Sequence, residues 1–334
     1  MAERPFSDLT DAGRIRRLRQ LAWSALFRYP IAVSRLRFLA AHTNVTYRVD
    51  TKDGRVFALR VGTTLEDTDV DVASEITWLG ALAREGDVPV VRPWENVDGE
   101  LVTVADAPGV PEERRCVLFS WLPGSVLADR ISTARYADLG ELAAQLHDHG
   151  ERWRPPRTFR PLVWDRVFYY PTEPVVLFGA RYRRWMTAER TETVRGAIET
   201  ITPELRRLQR EGRPHVIHGD LQMGNVMVHR GRLTAFDFED VMRGAPVQDI
   251  AITLSYGRAR PDYGELRRAF RAGYERRRGW PVEFDGQLEL LMAARKVMFL
   301  NYLLRTDPEP ENFITASIPD LRRLMRGVSI PDSG

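Results

Sequence analysis

A single cysteine, Cys116, stands in the 334 residues, so no disulfide can close within the chain. A lone thiol suits a reducing compartment. Lysine is almost missing as well. Lys52 and Lys296 are the only two, and arginine carries nearly all of the positive charge. No apolar run approaches bilayer-spanning length, and the opening Met-Ala-Glu-Arg-Pro leads into scattered charges without the apolar core of a secretion signal. An excess of one sign of charge is absent too: 49 basic residues face 46 acidic ones, for a net +3. Bases dispersed among acids do not mark a nucleic-acid partner, and the densest tract, Arg267 to Arg278, reads as a solvated helix face. Internal repeats and low-complexity tracts are lacking. These absences lead to the expectation of a soluble, cytoplasmic protein with no nucleic-acid and no membrane partner, its oligomeric state left open.

What is present is an ordinary globular composition, 43% hydrophobic. A chain of this length exceeds the size at which one core usually stops growing, so two lobes are expected. The chemistry is concentrated in His218-Gly219-Asp220-Leu221-Gln222-Met223-Gly224-Asn225, followed twelve residues later by Asp237-Phe238-Glu239-Asp240. An Asp and an Asn five positions apart can place a carboxylate at an attacking hydroxyl and an amide oxygen on a magnesium ion, as in kinase catalytic loops. Between Asn225 and Asp237 the pattern is an out-and-back hairpin. Val226-Met227-Val228 is β-prone, Arg230-Gly231 can turn, and Leu233 to Phe236 return. The hairpin brings Asp237 back towards Asn225. An amide and a carboxylate supply hard oxygen ligands, which magnesium completes with water and phosphate oxygens.

On these residues the chain resembles the aminoglycoside phosphotransferase and choline kinase family, relatives of the eukaryotic protein kinases. The family pattern is His-Gly-Asp, then His two positions on and Asn three further, then Asp-aromatic-x-Asp. The resemblance runs from about Ser34 to the last helix. It implies an α+β, two-lobed protein-kinase-like fold, with a small antiparallel-sheet N-lobe carrying one helix and a larger, mainly helical C-lobe. It also implies ATP and Mg2+. Asp220 falls on the catalytic Asp, Asn225 and Asp237 on the magnesium ligands, and His218 on the loop's structural His. Gln222 departs, standing where the family usually has His. Asp240 is either a third magnesium ligand or, by preference, a structural hydrogen-bonding group. Asp249 is either a helix cap or a brace for the catalytic loop.

The order of patterns supports this layout. Residues 1–33 read as a helical extension, 34–121 as the nucleotide-binding N-lobe, and 122–334 as the C-lobe with catalytic loop and acceptor site. In the N-lobe, Val45, Tyr47 and Val49 alternate with polar residues, Asp53-Gly54 turns, and Val56 to Val61 returns. A helix from about Asp69 to Arg84 and a buried strand from Arg115 to Trp121 follow. Leu122-Pro123-Gly124 breaks that strand and links to the second lobe. Ser132 or Thr133 can cap the next helix, and Gly150 can end it. Pro155, Pro156 and Pro161 punctuate an aromatic segment through Tyr170 that looks like an insertion. Further helices are expected over Tyr182 to Arg210, Asp249 to Tyr256, Tyr263 to Arg277, Phe284 to Arg305 and Ser317 to Met325.

By the same resemblance, Arg60 takes the place of the kinase strand lysine, and Glu75 is its best partner on the helix, ahead of Glu66 and Asp69. Arginine keeps the charge and can grip phosphate bidentately. Main-chain groups from Phe119 through Ser120 and Trp121 to Leu122 are expected to hold the adenine. The segment Ala40-Ala41-His42-Thr43-Asn44 lies over the phosphates, and with no glycine in it, Asn44 supplies the turn.

The reaction expected is transfer of the γ-phosphate of ATP to a hydroxyl of a small molecule such as an amino alcohol or aminoglycoside. A cationic acceptor would call for acids, with Asp165, Glu239 and Asp262 as candidates. Two other readings stay open. Arg115 to Gly124 resembles the bacterial branch with stress-response serine/threonine kinases and homoserine-kinase-like enzymes, so a protein side chain could be the acceptor. The departures at Arg60 and Gln222 also leave room for a nucleotide-binding regulator without catalysis. The short stretch between Asp240 and the next helix favours the small molecule over a protein.

Overall fold

The computed structural model describes residues 4–41, 44–62, 69–307, 309–326 and 328. His42, Thr43 and Glu66, all considered above, lie outside the described residues. The chain divides into two compact units. One comprises residues 1–124 with 155–160 and 234–236, and the other comprises 125–154, 161–233 and 237–334.

The first unit opens with α1 (Asp11–Leu26), whose N-terminus is capped by Thr10: its Oγ1 accepts from the Gly13 N–H. There follow β1 (Val33–Ala41), β2 (Asn44–Thr51), β3 (Val56–Gly62), α2 (Asp69–Glu85), β4 (Pro93–Trp94), β5 (Thr103–Ala105) and β6 (Arg114–Ser120). Their antiparallel sheet runs β1-β2-β3-β6-β4, with β5 also on β6. In β2 and β3 buried and half-buried residues alternate, the period-2 signature of a sheet with one covered face. Leu18, Leu21, Ala22 and Ala25 of α1 share a core with Val45, Tyr47, Leu59, Val61 and Leu118, so burial of apolar area ties the first helix to the sheet. Cys116 belongs to this core, and burial pushes its thiol up to about 12, leaving it unreactive.

The second unit contains β7 (Ser125–Val126), α3 (Thr133–Arg152), β8 (Leu162–Val163), α4 (Ala188–Glu211), β9 (His215–Ile217), β10 (Val226–His229), the first half of β11 (Arg232–Ala235) and β12 (Met242–Gly244). Four more helices follow: α5 (Pro246–Ser255), α6 (Tyr263–Tyr274), α7 (Gln287–Thr306) and α8 (Glu311–Met325). β12 pairs in parallel with β8 and antiparallel with β9. The β10–β11 hairpin turns at Arg230 and Gly231, both at positive φ (46° and 85°), as a two-residue hairpin turn requires.

Several local expectations differ from the structure: the last helix begins at Glu311 rather than Ser317, and α6 ends at Tyr274 rather than Arg277. Gly150 does not end α3, which continues to Arg152 with Trp153 as cap. Its small size serves packing instead, because a Cβ there would lie 2.0 Å from the Val216 carbonyl oxygen of β9. The helix expected from Tyr182 begins at Ala188, where Thr187 accepts from the Arg190 N–H, and Ala180–Tyr182 forms a separate 3-10 turn. The helix expected from Phe284 waits for Gly286, whose φ of 88° sets the chain direction at its start.

Candidate active site

The segment from His218 to Asn225 follows β9 directly, and α5 holds it from behind. Asp249, buried near the start of α5, accepts from the Gly219 N–H through Oδ1 at 2.9 Å and from the His218 N–H through Oδ2 at 3.2 Å. His147 of α3 meets the same carboxylate at 3.1 Å, and the other ring nitrogen of His147 meets the Tyr274 hydroxyl at 2.9 Å. Burial alone would raise the Asp249 carboxyl. The His147 hydrogen bond and the loop N–H outweigh it and hold the carboxyl below its usual value. Of the two roles expected for Asp249, bracing the loop is the one its contacts describe.

The loop is pressed against the segment after Asp237 at one point. Gly219 has φ +80°, and a Cβ on it would lie 2.0 Å from the Asp240 carbonyl oxygen. Only glycine satisfies both conditions. His218 packs its ring 4.4 Å from the buried Phe238 ring, and its Nδ1 accepts from the Asp220 N–H at 3.3 Å. Asp237 precedes Phe238 with φ 63°, a left-handed conformation that Asp tolerates better than most residues. A non-glycine residue held there marks a segment whose direction the surroundings dictate.

Both oxygens of Asp220 are engaged. Oδ1 accepts from the Tyr256 hydroxyl at 2.9 Å and from Arg295 Nη2 at 3.1 Å, while among the described residues Oδ2 accepts from Asn225 Nδ2 alone, at 3.0 Å. Asn225 Nδ2 also donates to the Asp220 carbonyl oxygen at 2.9 Å, so the two motif residues are clasped directly. Burial raises the Asp220 carboxyl to about 6, with Asp240 adding to the rise and Arg295 opposing it. That value suits a group that must be ionised near neutrality yet accept a proton.

Gln222 turns its amide into the loop. Its Oε1 accepts from the Gly224 N–H at 2.6 Å, and its Nε2 donates to Asn225 Oδ1 at 3.2 Å. Asp240 is tied to Arg295 Nη2 at 3.2 Å and to the Tyr170 hydroxyl. Asn225 carries an amide oxygen, which accepts from Gln222 Nε2, and Asp237 a carboxylate, both hard oxygen donors of the kind that suits a small divalent cation.

In the first unit, Arg60 of β3 donates Nη1 to Glu75 Oε1 at 2.9 Å and Nη2 to Glu75 Oε2 at 2.5 Å. This forked pair is nearly buried, with side chains 13% and 2% exposed. The Arg60 guanidinium also lies 5.4 Å over the Phe119 ring. Phe119 and Ser120 remain in the sheet ladder, and Ser120 exchanges hydrogen bonds with Arg92. Trp121 and Leu122 lie beyond the end of β6, with Arg48 stacked 4.7 Å over the Trp121 ring. Asn44 opens β2 opposite Gly62.

Sequence reasoning missed Arg295, Tyr256, Tyr169 and Tyr170. Arg295 reaches Asp220, Asp240 and the Tyr169 hydroxyl from α7 with its side chain 5% exposed. The available signal was an arginine inside the apolar run Leu290 to Leu300, where a charge must find partners in the core. Of the acids proposed for a cationic acceptor, Asp165 is paired with Arg166 at 2.7 Å and Asp262 with Arg260 at 2.9 Å. A pocket of about 230 Å³ borders Tyr256 and Arg295, and Asp165, Glu239 and Asp262 are not among its lining residues.

A profile of the phosphotransferase enzyme family matches residues 35–283. Amicoumacin kinase of Bacillus subtilis (strain 168) is 27% identical over 249 residues, covering 73% of this chain and 69% of that protein. Among solved structures, a microcompartment-associated aminopropanol kinase matches with a TM-score of 0.71 at 24% identity, over 91% of this chain and 94% of its own. An amicoumacin kinase in complex with AMP-PNP, Ca2+ and Ami matches with a TM-score of 0.75 at 18% identity, over 95% and 97%. At such identities the structural likenesses speak for the fold. No helix among the described residues is long and apolar enough to cross a membrane.

Proposed function

The chain belongs to the phosphotransferase enzyme family, and we propose that it is an ATP-dependent, magnesium-requiring kinase that phosphorylates a hydroxyl of a small molecule. The observation that carries this reading is the Asp220–Asn225 clasp, in which a carboxylate raised to about 6 is fixed on a loop braced by Asp249.

In the mechanism, the acceptor oxygen attacks the γ-phosphorus, the bond to the β–γ bridging oxygen breaks, and ADP leaves. The acceptor proton passes to Asp220. Oδ2, with one donor, is the oxygen available for it, because Oδ1 already holds Tyr256 and Arg295. Arg295 and Tyr256 keep the carboxylate from rotating, so orientation is fixed before the acceptor arrives. Asn225 and Asp237 would hold magnesium, which supplies charge neutralisation on the phosphate oxygens. Arg60, oriented by Glu75, binds the α and β phosphates, and the main chain from Phe119 to Leu122 binds the adenine. An amicoumacin kinase solved with AMP-PNP and Ca2+ supports a nucleotide and a divalent cation here.

A small acceptor is preferred over a protein because α5 begins at Pro246, leaving only residues 241–245 after Asp240. That leaves little platform for a peptide. ADP release from the protein with magnesium and ATP, across amino alcohols, aminoglycosides, hydroxy acids, nucleosides and a generic protein acceptor, tests the reading. Acceptor-dependent turnover lost in Asp220→Asn and Asp237→Ala is the expected result. Turnover unchanged in both variants, or seen only with the protein acceptor, would overturn it.

A further inference from the structure

The pocket of about 230 Å³ beside Asp220 is formed by α5, α7 and α8 together with the residues just after α5. Tyr256 and Arg295 line it, and both touch Asp220 Oδ1. A molecule in this pocket therefore lies within one side chain of Asp220. Its volume is below the range usual for drug-sized ligands, which favours a small molecule. Met292, Phe299, Phe313 and Leu324 supply apolar wall.

The charged lining is unusual for a site that would take an amine. Asp320 is the only acid in the lining, and Lys296 at 2.9 Å, Arg258 at 3.2 Å and Arg323 at 3.2 Å already share it. In the lining itself three cations, Arg258, Arg295 and Lys296, stand against that one carboxylate, while Arg295 also meets Asp220 and Asp240, which lie outside the lining. A lining richer in cations than in acids favours a ligand that brings oxygen acceptors and negative charge.

We propose that the acceptor is a small hydroxy acid: a hydroxyl at Asp220, an apolar or aromatic body against Phe299 and Phe313, and one carboxylate at Lys296 and Arg258. This rests on the phosphotransferase reading and replaces the cationic acceptor with an anionic one.

Three probes share a phenyl ring and a three-carbon hydroxyl skeleton: phenyllactate, phenyllactamide and phenylalaninol, which are anionic, neutral and cationic. Calorimetric titration of the full chain with each is expected to rank phenyllactate tightest, by roughly tenfold or more over phenylalaninol. Lys296→Gln and Arg258→Gln should each shrink that preference to about threefold or less, and added salt should weaken phenyllactate selectively. Equal affinities, preference for phenylalaninol, no binding of phenyllactate in the millimolar range, or a preference untouched by either variant would overturn the proposal. ADP release is scored beside the titration. Turnover favouring phenylalaninol overturns the hydroxy acid while leaving phosphotransfer intact. Carboxylate-selective binding without ADP release from any acceptor supports the pocket while counting against phosphotransfer.

Discussion

Arg295 Nη2 donates to Asp220 Oδ1 at 3.1 Å and to Asp240 Oδ2 at 3.2 Å, so one buried nitrogen couples the carboxylate of the His-Gly-Asp loop to the last acid of the Asp-Phe-Glu-Asp turn. The two sequence motifs are thus held by a third element, α7, which neither motif contains. Replacing Arg295 by Met leaves two carboxylates facing each other in a nearly dry setting. Breaking a buried pair in this way costs about 3–5 kcal/mol. Urea unfolding of Arg295→Met should show a loss of that size together with loss of turnover, and an unchanged midpoint would refute the coupling.

The Asp220 value of about 6 gives a pH dependence. As a base the carboxylate must be ionised, so kcat/KM should be full above pH 7 and fall about tenfold per unit below pH 6. Its folded value lies above the ordinary 3.8, so its contribution to stability is present below that ordinary value and is lost as pH rises through about 6. Acidification should therefore remove activity without any destabilisation from this group. A flat profile between pH 5 and 8 would remove Asp220 as the base.

Asp249→Ala strips the acceptor from two buried N–H groups and from His147. Each orphaned group costs about 1–3 kcal/mol, so a loss of roughly 2–5 kcal/mol is expected in chemical denaturation. Because Asp249 is held below its usual value, its contribution is present above the unfolded value and is lost as pH falls. The variant should accordingly lose the part of the acid sensitivity that the wild type owes to this group. A variant as stable as wild type, with turnover retained, would mean the brace is dispensable.

Gly219→Ala should be among the most damaging small substitutions. It forces a Cβ to within 2.0 Å of the Asp240 carbonyl oxygen at a φ of +80°, so the catalytic loop or the turn after Asp237 must shift. A destabilisation of about 2 kcal/mol or more and a fall in kcat of about a hundredfold are expected. Activity near wild type would show that the loop tolerates displacement.

Arg60→Ala addresses the nucleotide. It removes the cation that Glu75 orients and leaves a buried carboxylate behind. The KM for ATP should rise by roughly tenfold or more while the KM for the acceptor changes little. Arg60→Lys should recover part of the loss, because an ammonium keeps the charge without the forked geometry. Equal effects on both KM values would point to a structural role alone.

Sequence by itself determined the elements whose signals are local. The pairing of Arg60 with Glu75, 15 positions away, came from the resemblance to kinases, whereas strand alternation in Val45 to Val49, the Arg230-Gly231 turn and the Asp220 to Asn225 spacing depend on neighbours within a few residues. Periodicity and turn stereochemistry state these without knowledge of the rest of the chain. Helix limits were less legible, because Gly150 reads locally as a terminator while its real constraint is the Val216 carbonyl 66 positions away. Only the tertiary structure decided which groups surround Asp220. Arg295 and Tyr256 come from helices that sequence reads as apolar packing, and Asp249 reads equally as a cap or a brace until its partners are placed. A buried charge has no local signature beyond its unexpected company. Which carboxylates satisfy it, and what that does to their protons, depends on contacts between residues 55 and 75 positions apart.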